Sequence, residues 1–298
     1  MTIPSSPVHV SERSGSLWGA LLLAAASLLL AAPAEAQSWR TLTSTRQLQG
    51  EQQLDVQVSY MAGTLELSRS PGKQLYSFEL RYDEDQLTPV TEYRRGSGSL
   101  RLGVESRDGS GISMPRGSSR NGRATVALSP DVPMALQLRF GAGEARLDLG
   151  AMTLRSVDVS TGASETALSF DSPNRIAAEY VRIRSGAAAL RTRGLANTRA
   201  ERFEFEGGVG ETVLDFGGTW TRNATASVKL GLGSMTLRFP RELGVRVVRS
   251  GSFLTTFNGE GLIKRGDEYY SPNWESAPHR LTVQLQAAFG SIDVQWID

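Results

Sequence analysis

The sequence predicts an all-β fold, and within that class a β-solenoid made of stacked coils of about 20–24 residues. Three observations predict this fold. Apolar and polar residues alternate over short stretches, glycine-rich triplets of small residues interrupt these stretches, and the triplets recur at a nearly constant spacing. Alternation with a period of two is typical of a β-strand with one buried face.

Each repeat has two short apolar alternations, one on either side of a triplet. In one repeat the apolar positions of residues 136–140 precede the triplet 141–143, and those of residues 147–149 follow it. Further triplets are expected at 96–98 and 288–290. The middle positions of successive triplets are 142, 162, 186, 209, 232 and 251, which are 20, 24, 23, 23 and 19 residues apart. This spacing predicts one coil per repeat, stacked on its neighbours about 4.8 Å apart.

The alternation also predicts which side chains face inward. Several coils are expected to contribute side chains to one shared core. Truncating one of these side chains to Ala is expected to destabilise the fold, because burial is lost and a cavity remains. Outward positions carry charges of mixed sign, as at Glu144, Arg146 and Asp148. The predicted core residues are Leu147, Val159, Ile183, Leu214, Leu237 and Ile292.

An antiparallel fold explains the same pattern and stays as the alternative. Two short strands joined by a glycine-rich loop also form a β-hairpin. A series of such hairpins produces a soluble antiparallel β-sandwich or barrel.

The first 36 residues predict a secretory signal peptide. Residues 1–16 are polar and include Arg13, residues 17–32 are almost entirely apolar, and Ala34-Glu35-Ala36 follows. A basic start, a short apolar stretch and an A-x-A pattern are the three parts of such a signal. An uncleaved membrane anchor is the alternative, although a spanning helix usually needs about 20 apolar residues. We therefore expect export to the periplasm, the cell surface or the medium, with no transmembrane helix after cleavage.

Residues 37–298 are expected to form one continuous β-repeat domain. It has an N-terminal part over 37–130, with a mobile loop at 105–123 that is rich in Gly, Ser and Arg, and a solenoid part over 131–298. The chain has no cysteine, which excludes disulfides and thiolate chemistry. Lys and Arg number 32 against 31 Asp and Glu, so the charge balance offers no attraction to nucleic acid.

The sequence predicts no catalytic residue, no cofactor-binding or metal site and no cofactor. His279 is the one histidine after residue 36, and it is expected in an exposed turn. The glycine triplets lack the third glycine of a dinucleotide fingerprint, and strands follow them instead of helices. The acidic cluster at 82–85 is expected to be a solvated turn, because it lacks the pattern of a calcium loop.

A segment before the last strand, residues 258–280, holds the candidate partner-binding residues. Tyr, Trp and Arg are enriched at interface hot spots because they combine a large area with polar groups. The same aromatic side chains could instead fold back and cap the last coil, and both interpretations stay open. Within this segment, 265–267 reads Arg-Gly-Asp, which matches an integrin-binding tripeptide but is expected to be an ordinary turn. The candidates are Arg265, Tyr269, Tyr270, Trp274 and Arg280.

Several of these stretches resemble a known family. The run from Leu230 to Gly251 and the endings at 270–274 and 289–294 resemble the C-terminal domain of LiaF-like proteins and related adhesin-like proteins. Upstream, residues 78–82 and 88–93 resemble the N-terminal part of the toast-rack domain family. The resemblance covers most of residues 50–298 and implies parallel strands stacked like slices in a rack. The resemblance implies no catalytic residues. LiaF-like proteins restrain an envelope-stress sensor kinase, so the resemblance implies a link to the envelope-stress response.

Two classes of function follow from these observations. The first is a non-enzymatic interaction, adhesion or structural module of the cell envelope, with an envelope protein or polysaccharide as its partner. The second is a polysaccharide-active β-solenoid enzyme. An acid-rich groove with perturbed pKa values favours the enzyme, whereas a flat face of alternating charges favours the interaction module.

We predict that signal cleavage leaves Gln37 as the first residue of the exported protein. Small residues before the cleavage point are required for processing, so Ala36→Arg should block it. Intact mass measured on protein from the periplasm or the medium tests the prediction. Recovery of the unchanged protein from the membrane fraction with residues 1–36 retained contradicts it.

Overall fold

A computed structural model describes residues 38–107, 122–251 and 254–298. The described chain is built from β-strands, with a 3-10 turn at Leu195–Thr198, so the all-β prediction is confirmed. The signal peptide predicted over 1–36 lies outside the described residues. Most of the predicted loop 105–123 lies outside them as well, between a strand that ends at Ser106 and one that begins at Arg123.

Among the described residues, no helix has the length and apolar character that crossing a membrane requires.

The body of the fold is a stack of long parallel strands, and each strand is one rung of the solenoid. Adjacent rungs pair in register, so that Leu138 lies beside Val159 and Leu147 beside Leu168. This parallel pairing confirms the predicted solenoid for the body of the protein. The antiparallel alternative is wrong there. In stacking order the rungs are β2 (Leu54–Arg69), β7 (Met134–Asp148), β8 (Leu154–Ser169), β9 (Val181–Arg193), β10 (Arg202–Asp215), β11 (Ala224–Pro240) and β16 (Arg280–Ile297).

Each rung changes direction at its small-residue triplet, which divides it into a first arm and a second arm. In β8 the buried residues include Val157, Val159 and Thr161 before the bend and Ser164, Thr166 and Leu168 after it. Side chains alternate along a strand, so a change from odd to even buried positions requires a bend or bulge between them. The apolar residues of both arms belong to one core cluster. That cluster includes all six predicted core residues: Leu147, Val159, Ile183, Leu214, Leu237 and Ile292.

At both ends of the stack, the order of the rungs departs from the order of the chain. β5 (Ser99–Ser106) pairs with the first arm of β2 and β6 (Arg123–Leu128) with its second arm, so the two strands form one interrupted rung. β12 (Gly244–Gly251) and β13 (Thr255–Asn258) form a second interrupted rung on the two arms of β16. The last strand of the chain therefore lies between β11 and β12.

Antiparallel strands cover the interrupted rungs. Solenoid ends need such covers because they expose strand edges and apolar core. The expected repeat at Gly96–Gly98 is wrong for this reason: these residues form the turn of an antiparallel hairpin between β4 and β5, not the bend of a rung. The covering strands are β1 (Trp39–Gln47), β3 (Gln74–Asp83), β4 (Leu87–Arg94), β14 (Ile263–Arg265) and β15 (Glu268–Tyr270).

Close stacking at the bend explains why glycine occupies it. Gly233 has φ 142° and pairs with Gly210 of the rung below. A Cβ on Gly233 would collide with the carbonyl oxygen of Gly210, far inside van der Waals contact. Gly143 is in the same position against Gly63. A side chain at these positions therefore requires both a strained backbone and a shift of the neighbouring rung.

We predict that Gly233→Ala lowers the free energy of unfolding by more than about 2 kcal/mol, through backbone strain and the collision with the next rung. Gly96→Ala is the matched control, because a Cβ there meets no atom within 4 Å. Denaturant unfolding of both variants measures the difference. An equal, small effect of the two substitutions contradicts the proposed role of the bend.

Candidate functional site

The segment that holds the predicted partner-binding residues forms a short hairpin at one edge of the sheet. Strand β15 pairs with β12, and β14 pairs with β15, so the hairpin extends the first-arm face of the solenoid. Gly266 and Asp267 form the turn of this hairpin. The tripeptide at 265–267 is therefore part of a turn, as the sequence predicted.

Tyr269 faces the core and takes part in the cover of the last rung. Its ring contacts Phe257 edge to face at a centroid distance of 4.8 Å, and it packs against the core cluster. The Arg249 guanidinium lies 4.8 Å from the Phe257 ring centroid, and the Lys264 ammonium lies 6.0 Å from that of Tyr269. Tyr269 therefore fits the capping interpretation.

The other four predicted residues lie together on the opposite, outer face, and we call Arg265, Tyr270, Trp274 and Arg280 the outer cluster. The rings of Tyr270 and Trp274 meet edge to face at 5.7 Å. Arg265 lies 5.2 Å from the Tyr270 centroid and Arg280 lies 5.8 Å from the Trp274 centroid, both at cation–π distance. The Arg280 guanidinium also donates to the backbone oxygens of Trp274 and Glu275, at 2.8 and 2.9 Å.

Hydrogen bonds to one carboxylate hold the outer cluster in place. Arg246 donates to the two Glu268 oxygens at 2.8 and 2.5 Å, and the Tyr270 hydroxyl donates to the same carboxylate. The hydrogen bonds from Arg246 and then from Tyr270 lower the pKa of Glu268. The hydrogen bond to Glu268 in turn raises the pKa of Tyr270, so the phenol stays protonated. A site whose side chains are already ordered loses less entropy when it binds.

A ladder of alternating charges crosses the first-arm face in the middle of the stack, separated from the hairpin by β11, β16 and β12. Asp158, Arg182 and Glu204 occupy equivalent positions on β8, β9 and β10. Arg182 donates to Glu204 at 2.5 Å and to Asp158 at 3.4 Å, and Arg184 donates to Asp158 at 3.1 Å. The hydrogen bond from Arg182 lowers the pKa of Glu204. This carboxylate is therefore held ionised, the opposite of what a general acid requires.

Two other sequence candidates have structural roles. His279 is half-buried in a bend, not exposed, and its backbone oxygen accepts a hydrogen bond from Gly244 at 3.0 Å. Asp83 is buried, so the solvated turn expected at 82–85 is wrong there. Its carboxylate accepts hydrogen bonds from the Asp85 amide at 3.1 Å and the Gln86 side chain at 3.0 Å, which closes the turn. The described residues include no cluster of three or more His, Asp or Glu suited to a metal ion.

An exposed apolar feature that the sequence reasoning missed runs along the bend. Val209, Leu232 and Phe289 are the middle residues of consecutive triplets and lie side by side on β10, β11 and β16. Their exposed fractions are 53%, 51% and 50%, and that of Leu254, between β12 and β13, is 64%. We call these four residues the corner ridge. The available signal was the equivalent position of the earlier rungs, which is Ala at 142, 163 and 187 and becomes Val, Leu and Phe at 209, 232 and 289.

A groove lies beside this ridge. The residues before Val209, Leu232 and Phe289 are Gly208, Gly231 and Ala288, and a Cβ on Gly231 would lie 2.5 Å from the Gly208 carbonyl oxygen. The missing side chains leave a groove of about 530 Å³, which we call the corner groove. Another groove of about 530 Å³ follows the same column at Met61, Gly141 and Gly162. The corner groove is lined by Lys229, Leu230, Gly231, Ser250, Gln286, Ala287 and Ala288.

Comparison with known proteins agrees with this architecture. Residues 35–193 match the family described as the N-terminal domain of toast_rack, DUF2154. Among curated proteins, none matches the chain.

Three solved structures share low sequence identity with the chain over most of its length. A proposed cell adhesion protein of Clostridium sporogenes has a TM-score of 0.49 and 16% identity, with 87% of this chain and 100% of that one covered. A proposed adhesin of Bacteroides fragilis has a TM-score of 0.39 and 11% identity, with coverage of 86% and 97%. A proposed lipid binding protein of Parabacteroides distasonis has a TM-score of 0.32 and 10% identity, with coverage of 88% and 97%.

The charge ladder predicts a specific pH dependence of stability. Because the pKa of Glu204 is lowered in the folded protein, its pairing stabilises the fold above the ordinary carboxyl pKa. This contribution is lost as the pH falls through the lowered value. Since both partners are partly exposed, Glu204→Gln should lower the free energy of unfolding by about 0.5–1 kcal/mol at neutral pH. The difference should shrink as the pH falls below the ordinary carboxyl pKa and disappear below the lowered value.

Denaturant unfolding at a series of pH values measures this dependence. Glu206→Gln is the matched control: Glu206 pairs with Lys229 at 3.2 Å, but the two side chains are about half exposed and the expected loss is smaller. A Glu204→Gln effect that is unchanged between neutral and strongly acidic pH contradicts the prediction.

Proposed function

Because the chain belongs to the family of the N-terminal domain of toast_rack, we propose that it is a non-enzymatic interaction module of the bacterial cell envelope. Its partner is an envelope protein or a polysaccharide, and adhesion is one use of such binding. The proposal includes export through the signal peptide predicted at 1–36. A link to the envelope-stress response rests on the resemblance to LiaF-like proteins alone.

The observation that carries the proposal is the flat first-arm face with its alternating charges. Its carboxylates are occupied by arginines of the adjacent rungs, as in the Asp158–Arg182–Glu204 ladder. Charges that satisfy one another across rungs stabilise a regular surface. Asp158 and Glu204 are therefore not free to act as the acid and base that glycoside hydrolysis requires.

The alternative, a polysaccharide-active enzyme, is best supported by a groove of about 620 Å³ on the second-arm face. Its carboxylates have other roles. Asp148 and Asp215 accept hydrogen bonds from the Gly150 and Gly217 amides, at 3.1 and 2.7 Å, and so hold the turns that follow their rungs. Glu211 pairs with Arg191 at 3.3 Å. These contacts favour a structural role for the acids, and the interaction module remains the better proposal.

The outer cluster is the proposed partner-binding site. Arg265, Tyr270, Trp274 and Arg280 offer large aromatic area and guanidinium groups at one edge of the charged face. Tyr and Trp side chains contribute both apolar area and a hydrogen-bonding group, which suits a protein or a sugar surface. Tyr269, the fifth predicted residue, is assigned to the cap of the last rung.

We predict that the double variant Tyr270→Ala, Trp274→Ala keeps the stability of the protein but loses its partner. Crosslinking in the native host followed by co-purification measures partner recovery, and denaturant unfolding measures stability. Tyr269→Ala is the matched control, because the adjacent tyrosine points into the cap. Tyr269→Ala should lower the free energy of unfolding by about 1–3 kcal/mol. The fraction of this variant that remains folded should still recover the partner. Unchanged partner recovery with the double variant contradicts the proposed site.

A further inference from the structure

We propose that two copies of this protein associate through the bend of the solenoid, with the corner ridge of each copy lying in the corner groove of the other. This interface is separate from the outer cluster and goes beyond the proposed function. Its occupant is a second copy of the chain.

The first observation is the continuity of the ridge. Leu232 pairs with Val209 on one side and with Phe289 on the other, so the three side chains follow one another at the rung spacing of about 4.8 Å. About half of each side chain is exposed at the bend. A continuous row of exposed apolar side chains with a polar border is typical of an interaction site.

The second observation is that the ridge and the groove have the same period. Gly231 directly precedes Leu232 and Ala288 directly precedes Phe289, so these two projections each have a depression beside them on the same rung. A two-fold contact places one surface against an identical surface, and therefore requires projections and depressions that match each other. The corner meets this requirement because both features follow from one repeating backbone.

The border of the ridge favours a protein surface over a membrane. Ser234 and Ser291 lie on its second-arm side, and Gln286 and Lys229 lie on its first-arm side. Lys229 is paired with Glu206 at 3.2 Å. Anionic lipid surfaces attract clusters of unpaired basic residues, whereas this border is mostly uncharged.

The size of the contact indicates a weak dimer. A stable interface usually buries about 800 Å² on each partner, and four partly exposed side chains with a short groove supply less. We therefore expect reversible association with a dissociation constant of about 10–100 μM.

Sedimentation equilibrium of the exported protein over a concentration series tests the proposal. Leu232→Ser with Phe289→Ser should weaken association at least tenfold. Ala288→Arg should do the same by filling the groove while the ridge stays intact. Ile263→Ser is the matched control, because Ile263 is 46% exposed but lies on β14, away from the bend. Unfolding midpoints close to that of the unchanged protein establish that all variants fold.

A second measurement uses the absence of cysteine from the chain. A single Ser234→Cys variant should form crosslinked dimers with a short bifunctional thiol reagent, and the ridge substitutions should abolish them. Three results overturn the proposal: a monomer at all concentrations, equal weakening by Ile263→Ser, or a monomer that binds zwitterionic lipid vesicles through Leu232 and Phe289. The last result identifies the ridge as a lipid-inserting surface.

Discussion

Close approach of neighbouring backbones at the bend is the constraint on which the rest of this structure depends. Both arms of every rung can face one core only if the strand changes direction, and the rungs must keep the spacing of a parallel sheet while they do so. At Gly233 and Gly290 a side chain would occupy the position of the carbonyl oxygen of the rung below. The glycine-rich triplets satisfy this geometric condition, and their recurrence sets the length of each coil.

The same constraint shapes the surface. A column without side chains leaves a groove, and the residue that follows each glycine is directed outward at the corner. Where that residue is Ala, as at Ala142, no large apolar side chain projects from the corner. Where it is Leu232 or Phe289, an apolar ridge lies beside the groove. The two arms remain polar because their outward charges pair between rungs, as Arg182 does with Glu204. Structure and potential binding surfaces therefore arise from one repeating unit.

The ends of the solenoid follow different rules from its body. An end rung has no neighbour to bury its core, so antiparallel strands and aromatic side chains cover it. Tyr269 and Tyr270 illustrate the change in role: adjacent on β15, they face opposite sides of the sheet. One completes the core with Phe257, and the other joins Trp274 and the surrounding arginines at the surface. Of the two alternatives for the whole segment, Tyr269 therefore fits capping, and the proposed binding site falls to the neighbouring Tyr270.

The sequence by itself determined where the strands of the body lie, which of their side chains face inward and how long each coil is. These properties are local, because a period of two and a triplet of small residues can be recognised within one stretch of chain; Leu147 and Leu214 were assigned to the core on that basis. Only the tertiary structure decided that β16 lies between β11 and β12, that triplet 96–98 is a hairpin turn, and that the side chains of the outer cluster contact one another. The physical reason is that a strand offers the same backbone hydrogen bonds to any neighbour. The choice of neighbour therefore depends on distant segments competing to cover the same core.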